Sequence, residues 1–319
     1  MGFFCKGIAG LVTTGILMTA SIGMAAQAQA QAQAQADKDY VQSVFETMAG
    51  VKTAKMNVTM EIDTSAGNGK IEMKSEGTLQ PEMVTKNDMT TTFTNFLGKE
   101  ISTTMQCYLE QTKSSMVTYM MQDKKWVKST TPFVNPNAGK TAAEQGKAAM
   151  ENIKDIKTTA EGPDYKLITV TIDGRKISDQ VDKIVKFPAK QKDEEKAFKA
   201  GVKAFGDCSY TMRVDKATKY VSDFSFVDFS KNVQNAVAAG VDASAMQPKQ
   251  KESVKKFMKD VRIKIDIKMS DFDKVLPVEI PQDVRDAKEI EIKKKAPKAD
   301  LAVTVPAETL IETPVEVAA

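Results

Sequence analysis

The chain has 319 residues, with Lys+Arg 45 against Asp+Glu 42 and a net charge of +3, too balanced to supply the dense basic field that nucleic-acid binding requires. Histidine is absent throughout. That removes the commonest general base, the Ser-His-Asp and Cys-His arrangements and every histidine-ligated metal site. At 42% hydrophobic residues the chain can build a core, and its length suits one large domain or two small ones.

The N-terminus reads as a secretory signal peptide. Lys6 is a short positive segment ahead of Ile8–Ala26, an apolar stretch diluted by Thr13, Thr14, Thr19 and Ser21. The AQAQAQAQAQA run that follows offers repeated small-x-small cleavage sites, so cleavage is expected between Ala26 and Ala36. An uncleaved anchor is the alternative. Cys5 precedes the apolar run, where it is not placed for lipoprotein acylation. Residues 1–36 are thus expected to be leader and low-complexity spacer, and the rest to be exported. The destination is periplasm or cell envelope with two membranes, and secretion or the wall with one.

Asp37–Gly50 has the spacing of a helix, with Tyr40, Val41, Val44, Phe45 and Met48 in a stripe and Gly50 at its end. Met56, Val58, Met60 and Ile62 then alternate with polar residues, the period of a half-exposed strand. Ala66-Gly67-Asn68-Gly69 turns this strand into the next, which carries Ile71, Met73 and Leu79. Met83–Phe93 is a third strand, and Ile101, Thr103, Met105, Cys107 and Leu109 line one face of a fourth. Met116–Met121 and Trp126–Lys128 form a hairpin about Asp123-Lys124-Lys125. A break at Thr131–Asn137 precedes a helix over Thr141–Lys154, where Thr141 and Glu144 are spaced as a capping box.

Ile168, Val170 and Ile172 return to a strand closed by Asp173-Gly174. Ser178–Phe187 and Asp193–Phe205 have helical spacing and are split by Pro188. Cys208, Tyr210, Met212 and Val214 share a strand face, and Tyr220–Phe229 is the partner strand. Asn232–Ala245 and Lys249–Lys259 are helical, and Val261 to Met269 is the clearest alternating strand. Phe272–Pro281 leads out of the domain, and Glu289–Ala319, charged and then rich in Pro, Ala, Val and Glu, reads as a flexible tail. The sum is eight to ten antiparallel strands with interspersed helices, an α+β domain over residues 37–288.

Three local features carry a family resemblance. The Asp37–Gly50 helix feeds directly into Met- and Thr-rich hairpins. Tyr119-Met120-Met121-Gln122-Asp123-Lys124-Lys125-Trp126-Val127-Lys128 is a tyrosine, polar turn, tryptophan hairpin. Met269-Ser270-Asp271-Phe272 followed by Val278-Glu279-Ile280-Pro281 is a closing strand with a proline exit. Over roughly residues 37–288 the chain resembles the exported half-barrel proteins typified by the lipoprotein carrier LolA and the mycobacterial lipoprotein LppX. The resemblance implies a curved antiparallel sheet wrapped over helices, with an apolar concave side able to hold acyl chains. Two features depart from it. Arg175, Arg213, Arg262 and Arg285 match no functional position of a carrier, and helical material is added at 174–205 and 231–259.

No catalytic residue, cofactor or metal site emerges, and the chain does not read as an enzyme. Glu61, Asp63 and Glu72 flank one hairpin as a solvated face. Met56, Met60 and Met73 suit Cu(I) in principle, but core packing on the apolar strand face explains them without metal. Serine and threonine lack a histidine to activate them, no Ser-Lys pair has a supporting motif, and Asp173-Gly174-Arg175-Lys176 reads as a strand-end turn. The lysines of Lys249–Lys259 read as the polar side of a helix, and Lys293-Lys294-Lys295 in the tail could touch anionic lipid or cell wall.

An exported compartment permits a disulfide between Cys107 and Cys208, with two buried free thiols as the alternative. The 18 methionines are flexible side chains that fill cores or adapt to variable ligands. Together with the resemblance, they point to a hydrophobic ligand, a lipid or acylated protein, held by Met60, Ile62, Met73, Met105, Tyr210, Met212, Phe224 and Phe226. Packing of all eight against the domain's own helices is the competing expectation, and a structural or interaction role in the envelope is the alternative function.

Overall fold

Period-two alternation of apolar and polar side chains commits each segment to a strand with one face to bury. In the computed structural model these segments pair into a single sheet. The structure describes residues 28–290 other than 66, 81, 96–97, 113, 123, 133–138 and 185–191. Residues 1–27, which hold Lys6 and the apolar stretch Ile8–Ala26 of the expected leader, lie outside the described residues, as do Pro188 and residues 291–319.

Helix α1 (Ala28–Gly50) precedes β1 (Thr53–Thr64), β2 (Gly67–Thr78), β3 (Val84–Asn95), β4 (Glu100–Gln111), β5 (Ser115–Gln122) and β6 (Lys125–Pro132). Helix α2 (Ala142–Met150) leads to β7 (Ile153–Glu161) and β8 (Tyr165–Ile172), then α3 (Gly174–Ile184) and α4 (Lys192–Phe205). The pair β9 (Cys208–Asp215) and β10 (Val221–Val227) is followed by α5 (Phe229–Ala243), α6 (Pro248–Lys259) and β11 (Arg262–Ser270). A short α7 (Gln282–Arg285) and β12 (Lys288–Glu289) end the described chain. The sheet order is β12-β6-β5-β4-β3-β2-β1-β11-β10-β9-β8-β7. Every pairing is antiparallel except β12 on β6. This is the α+β arrangement of a mostly antiparallel sheet with interspersed helices expected from the sequence, with two more strands than the upper count.

The helices cover one half of one face. Val41 and Val44 of α1 pack with Ile168 and Val170 of β8 and Met212 and Val214 of β9. Val233, Val237 and Val241 of α5 recur every fourth residue and meet Val58 and Met60 of β1 and Ile263, Ile265 and Ile267 of β11. The expected cap is present, and a second one appears. Thr141 and Glu144 form the capping box of α2, and α6 opens with Pro248 behind a Gln247–Gln250 box.

Four features differ from the sequence reading. Helix α1 begins at Ala28 and so includes most of the Ala-Gln run. Strand β7 occupies residues assigned to the end of a helix or to nothing. Its irregularities at Ile153/Asp155 and Thr158/Ala160 break the alternation that would have revealed it. The segment after β11 does not leave the domain. Val278, Ile280 and Val284 bury against Tyr108, Tyr119 and Trp126 on the sheet face opposite the helices, and Glu289 pairs with Lys128.

The fourth difference concerns the cysteines. Cys107 and Cys208 are both free. They sit on β4 and β9 with five strands between them, and strands are spaced about 4.8 Å apart. Their Cα atoms are therefore far beyond the roughly 7 Å that a disulfide can span.

Candidate apolar binding face

The strand register defines this face. Ile267 of β11 stands opposite Val58, Val58 opposite Met73, Met73 opposite Met89 and Met89 opposite Met105. One apolar row therefore crosses five strands on a single side of the sheet. A parallel row runs from Ile263 through Ile62 and Gly69 to Phe93 and Ile101. A third continues from Cys107 to Met120 and Val127.

Burial falls sharply along these rows. Ile263 and Ile267 are 7% and 1% exposed beneath the helices, whereas Phe93 is 42% and Ile101 59% exposed. Ile71, Met73, Met89, Met105 and Met120 are half-buried. Among the described residues the helices pack on one another and on β7, β9 and β11, α7 meets β6 from the other face, and no helix packs comparably on β2 to β5. The apolar face thus runs on past the helix layer across β2–β5.

The two ends of this open half differ. Toward the β2–β3 turn the face becomes polar but satisfied: Asn87 Nδ2 donates to Thr85 Oγ1 at 3.1 Å, and both side chains are buried. Gly77 is required there, because at φ 153° an added Cβ would lie 2.2 Å from the Val84 carbonyl oxygen. Burial raises the Cys107 thiol pKa, and a hydrogen bond with Asn87 partly offsets this. The other end carries the exposed cross-strand pair Phe93 and Ile101.

The residues singled out in the sequence divide between the two halves. Tyr210 and Met212 are core, the latter 0% exposed, and Met60 lies at the buried margin. Burial pushes the Tyr210 phenol well above its ordinary range. Phe224 lies 5.8 Å from the Tyr210 ring and Phe226 5.1 Å from Phe229, so both belong to an aromatic cluster beneath α5. Ile62, Met73 and Met105 alone reach the rim or the open half. Met89, Phe93, Ile101 and Ile71 were not singled out. Threonines 90–92 dilute the alternation around Met89 and Phe93, and Ile101 meets Phe93 only once the register is known.

A concavity of about 290 Å³ lies where β9 and β10 meet the start of α5, lined by Asp207, Asp228, Lys231, Asn232 and Asn235 among others. Its groups hold the fold together. Asn232 Nδ2 donates to the carbonyls of Phe205 and Asp207 at 2.6 Å. The Asp207 carboxylate accepts from Lys154 and from the Gly174 N–H, and Lys154 lowers its pKa. Among the described residues no group of three or more Cys, Asp or Glu side chains is placed to hold a metal ion. None of the described helices is long and apolar enough to cross a membrane.

No protein-family model and no curated protein sequence matches the chain. Two solved structures are similar in part. The crystal structure of LprF from Mycobacterium bovis aligns with a TM-score of 0.35 at 8% identity, over 78% of this chain and 97% of that one. A DUF1329 family protein from Desulfovibrio piger aligns with a TM-score of 0.25 at 8% identity, over 74% of this chain and 91% of that one. Likenesses this weak carry no argument about what the protein does.

Proposed function

We propose that this is an exported, non-catalytic envelope protein that binds a hydrophobic ligand, a lipid or the acyl chains of a lipoprotein, on the open half of its apolar sheet face. One observation carries the reading. The row Met73–Met89–Met105 continues the core row Val58–Ile267 beyond the helices that cover it. A large contiguous apolar patch on a protein surface marks an interaction or ligand site more often than chance exposure. Methionine side chains adapt to chains of varied shape. Export rests on the leader-like pattern of Lys6 and Ile8–Ala26 alone.

The test is native mass spectrometry of protein purified from its own envelope, followed by solvent extraction and titration with a fluorescent fatty acid. The expected result is a bound species of lipid mass that extraction removes. A Met89→Glu variant should bind the probe about tenfold more weakly or worse, because an unpaired charge is costly against an apolar chain. A clean apo mass with no probe uptake sinks the proposal. Capture of one stoichiometric protein partner by the same face would then favour the structural alternative.

A further inference from the structure

We propose that helix α6 is a docking surface for an anionic lipid bilayer. This stands on the helix's own charge pattern and does not depend on whether the open face holds a ligand. Its sequence, PKQKESVKKFMK, holds five lysines and one glutamate. Val254 and Met258 turn inward and join the core, so the opposite side faces solvent. Lys249 and Lys256, seven residues apart, lie one above the other on that side, with Lys259 and Phe257 flanking them.

Local structural roles account for only part of this charge. Lys255 takes both Asp242 and Glu252, and the Lys251 ammonium donates to the Asp242 carbonyl. Lys256 and Lys259 sit in the last turn, where the helix dipole favours cations. Yet Lys249, Lys256 and Lys259 are exposed and have no ion-pair partner among the described residues. Arg262 adds a fourth positive charge at the same end, its guanidinium donating to the Lys259 and Val261 carbonyls.

Solubility alone explains the lysines but not the apolar side chains among them. Phe257 is 39% exposed beside Lys256, and Met246 is 37% exposed just ahead of the helix. Clustered cations around protruding apolar side chains match the chemistry of an acidic lipid surface, with headgroup phosphates for the ammonium groups and acyl boundary for the ring. Val254 and Met258 belong to the same apolar cluster as Ile71 and Met73.

The experiment is co-sedimentation of the purified full chain with vesicles of phosphatidylglycerol and phosphatidylcholine, against phosphatidylcholine alone, at low and high salt. The expected result is pelleting with the anionic vesicles that falls toward the neutral-vesicle level as salt screens the charges. Lys249→Glu, Lys256→Glu and Lys259→Glu together should weaken partitioning about tenfold or more. Phe257→Ser should weaken it at both salt concentrations. If the triple variant melts differently from the parent, the three Lys→Gln changes replace it, and partitioning must still fall. Equal pelleting with neutral lipid, or a triple variant that binds like the parent, overturns the proposal. So does a loss seen only with Lys293→Glu, Lys294→Glu and Lys295→Glu, which would place the contact in the tail. A lipid-free protein that partitions would support this surface while refuting the ligand reading, and a lipid-loaded protein that ignores anionic vesicles would do the reverse.

Discussion

Cys208 shows what a single position on the buried face experiences. It pairs with Ile172 across the β8–β9 ladder and is 4% exposed. Burial pushes its thiol pKa up to about 12. Only the thiolate reacts readily, and at about pH 8 this group is both neutral and out of reach. N-ethylmaleimide should therefore leave Cys208 unmodified in the folded protein and alkylate it fully in denaturant, as peptide mass spectrometry would read. Cys107, half-buried on the margin of the open face, should label slowly under native conditions. Rapid native labelling of Cys208 would contradict the packing of the β8–β9 core.

At the scale of elements, the helix layer depends on one close crossing. Gly201 and Ala197 of α4 meet Ala236 and Gly240 of α5 backbone to backbone. An added Cβ on Gly201 would lie 2.8 Å from the Ala236 carbonyl oxygen, and one on Gly240 3.0 Å from that of Ala197. Larger side chains must push the helices apart and lift Val202, Phe205 and Val237 from the core. Gly201→Leu should cost about 1–3 kcal/mol in urea unfolding, the usual penalty for overpacking. Lys203→Ala, on the exposed side of α4, should stay within about 0.5 kcal/mol. Equal effects of the two changes would mean that the crossing is not tight in solution.

Across the whole molecule, the sheet is covered on opposite faces in its two halves. The helices lie over β7–β11 and β1, and the segment after β11 lies on the other side over β4–β6. An ion pair fastens that segment: Arg285 Nη1 donates to Glu110 Oε1 at 3.0 Å, and the Tyr119 hydroxyl donates to Glu110 Oε2 at 3.0 Å. Termination after Leu276 would remove Val278, Ile280 and Val284, each contributing about 1.5–3 kcal/mol of burial. The truncated protein should lose roughly 3 kcal/mol or more of stability. Emission of Trp126, the single tryptophan, should shift to the red as its cover goes. An unchanged emission maximum would show that the segment does not shield the ring.

Local chemistry alone determined much of this protein. Alternation in Met56–Ile62 and Ile263–Met269 fixes which side chains share a face, because the side-chain period of a strand is two. The Thr141–Glu144 box sets a helix start, and the missing histidines remove whole classes of catalysis, without knowledge of any contact. Which apolar side chains are core and which are open was decided only by tertiary structure. Met212 and Met89 carry the same side chain on the same face of one sheet, yet Met212 is buried with Val41 and Val44 of α1 while Met89 is only half-buried. Cys107 and Cys208 likewise both read as apolar-face cysteines, and strand order alone keeps them apart. Burial depends on what long-range pairing brings overhead, and no local pattern encodes which strands the helices reach.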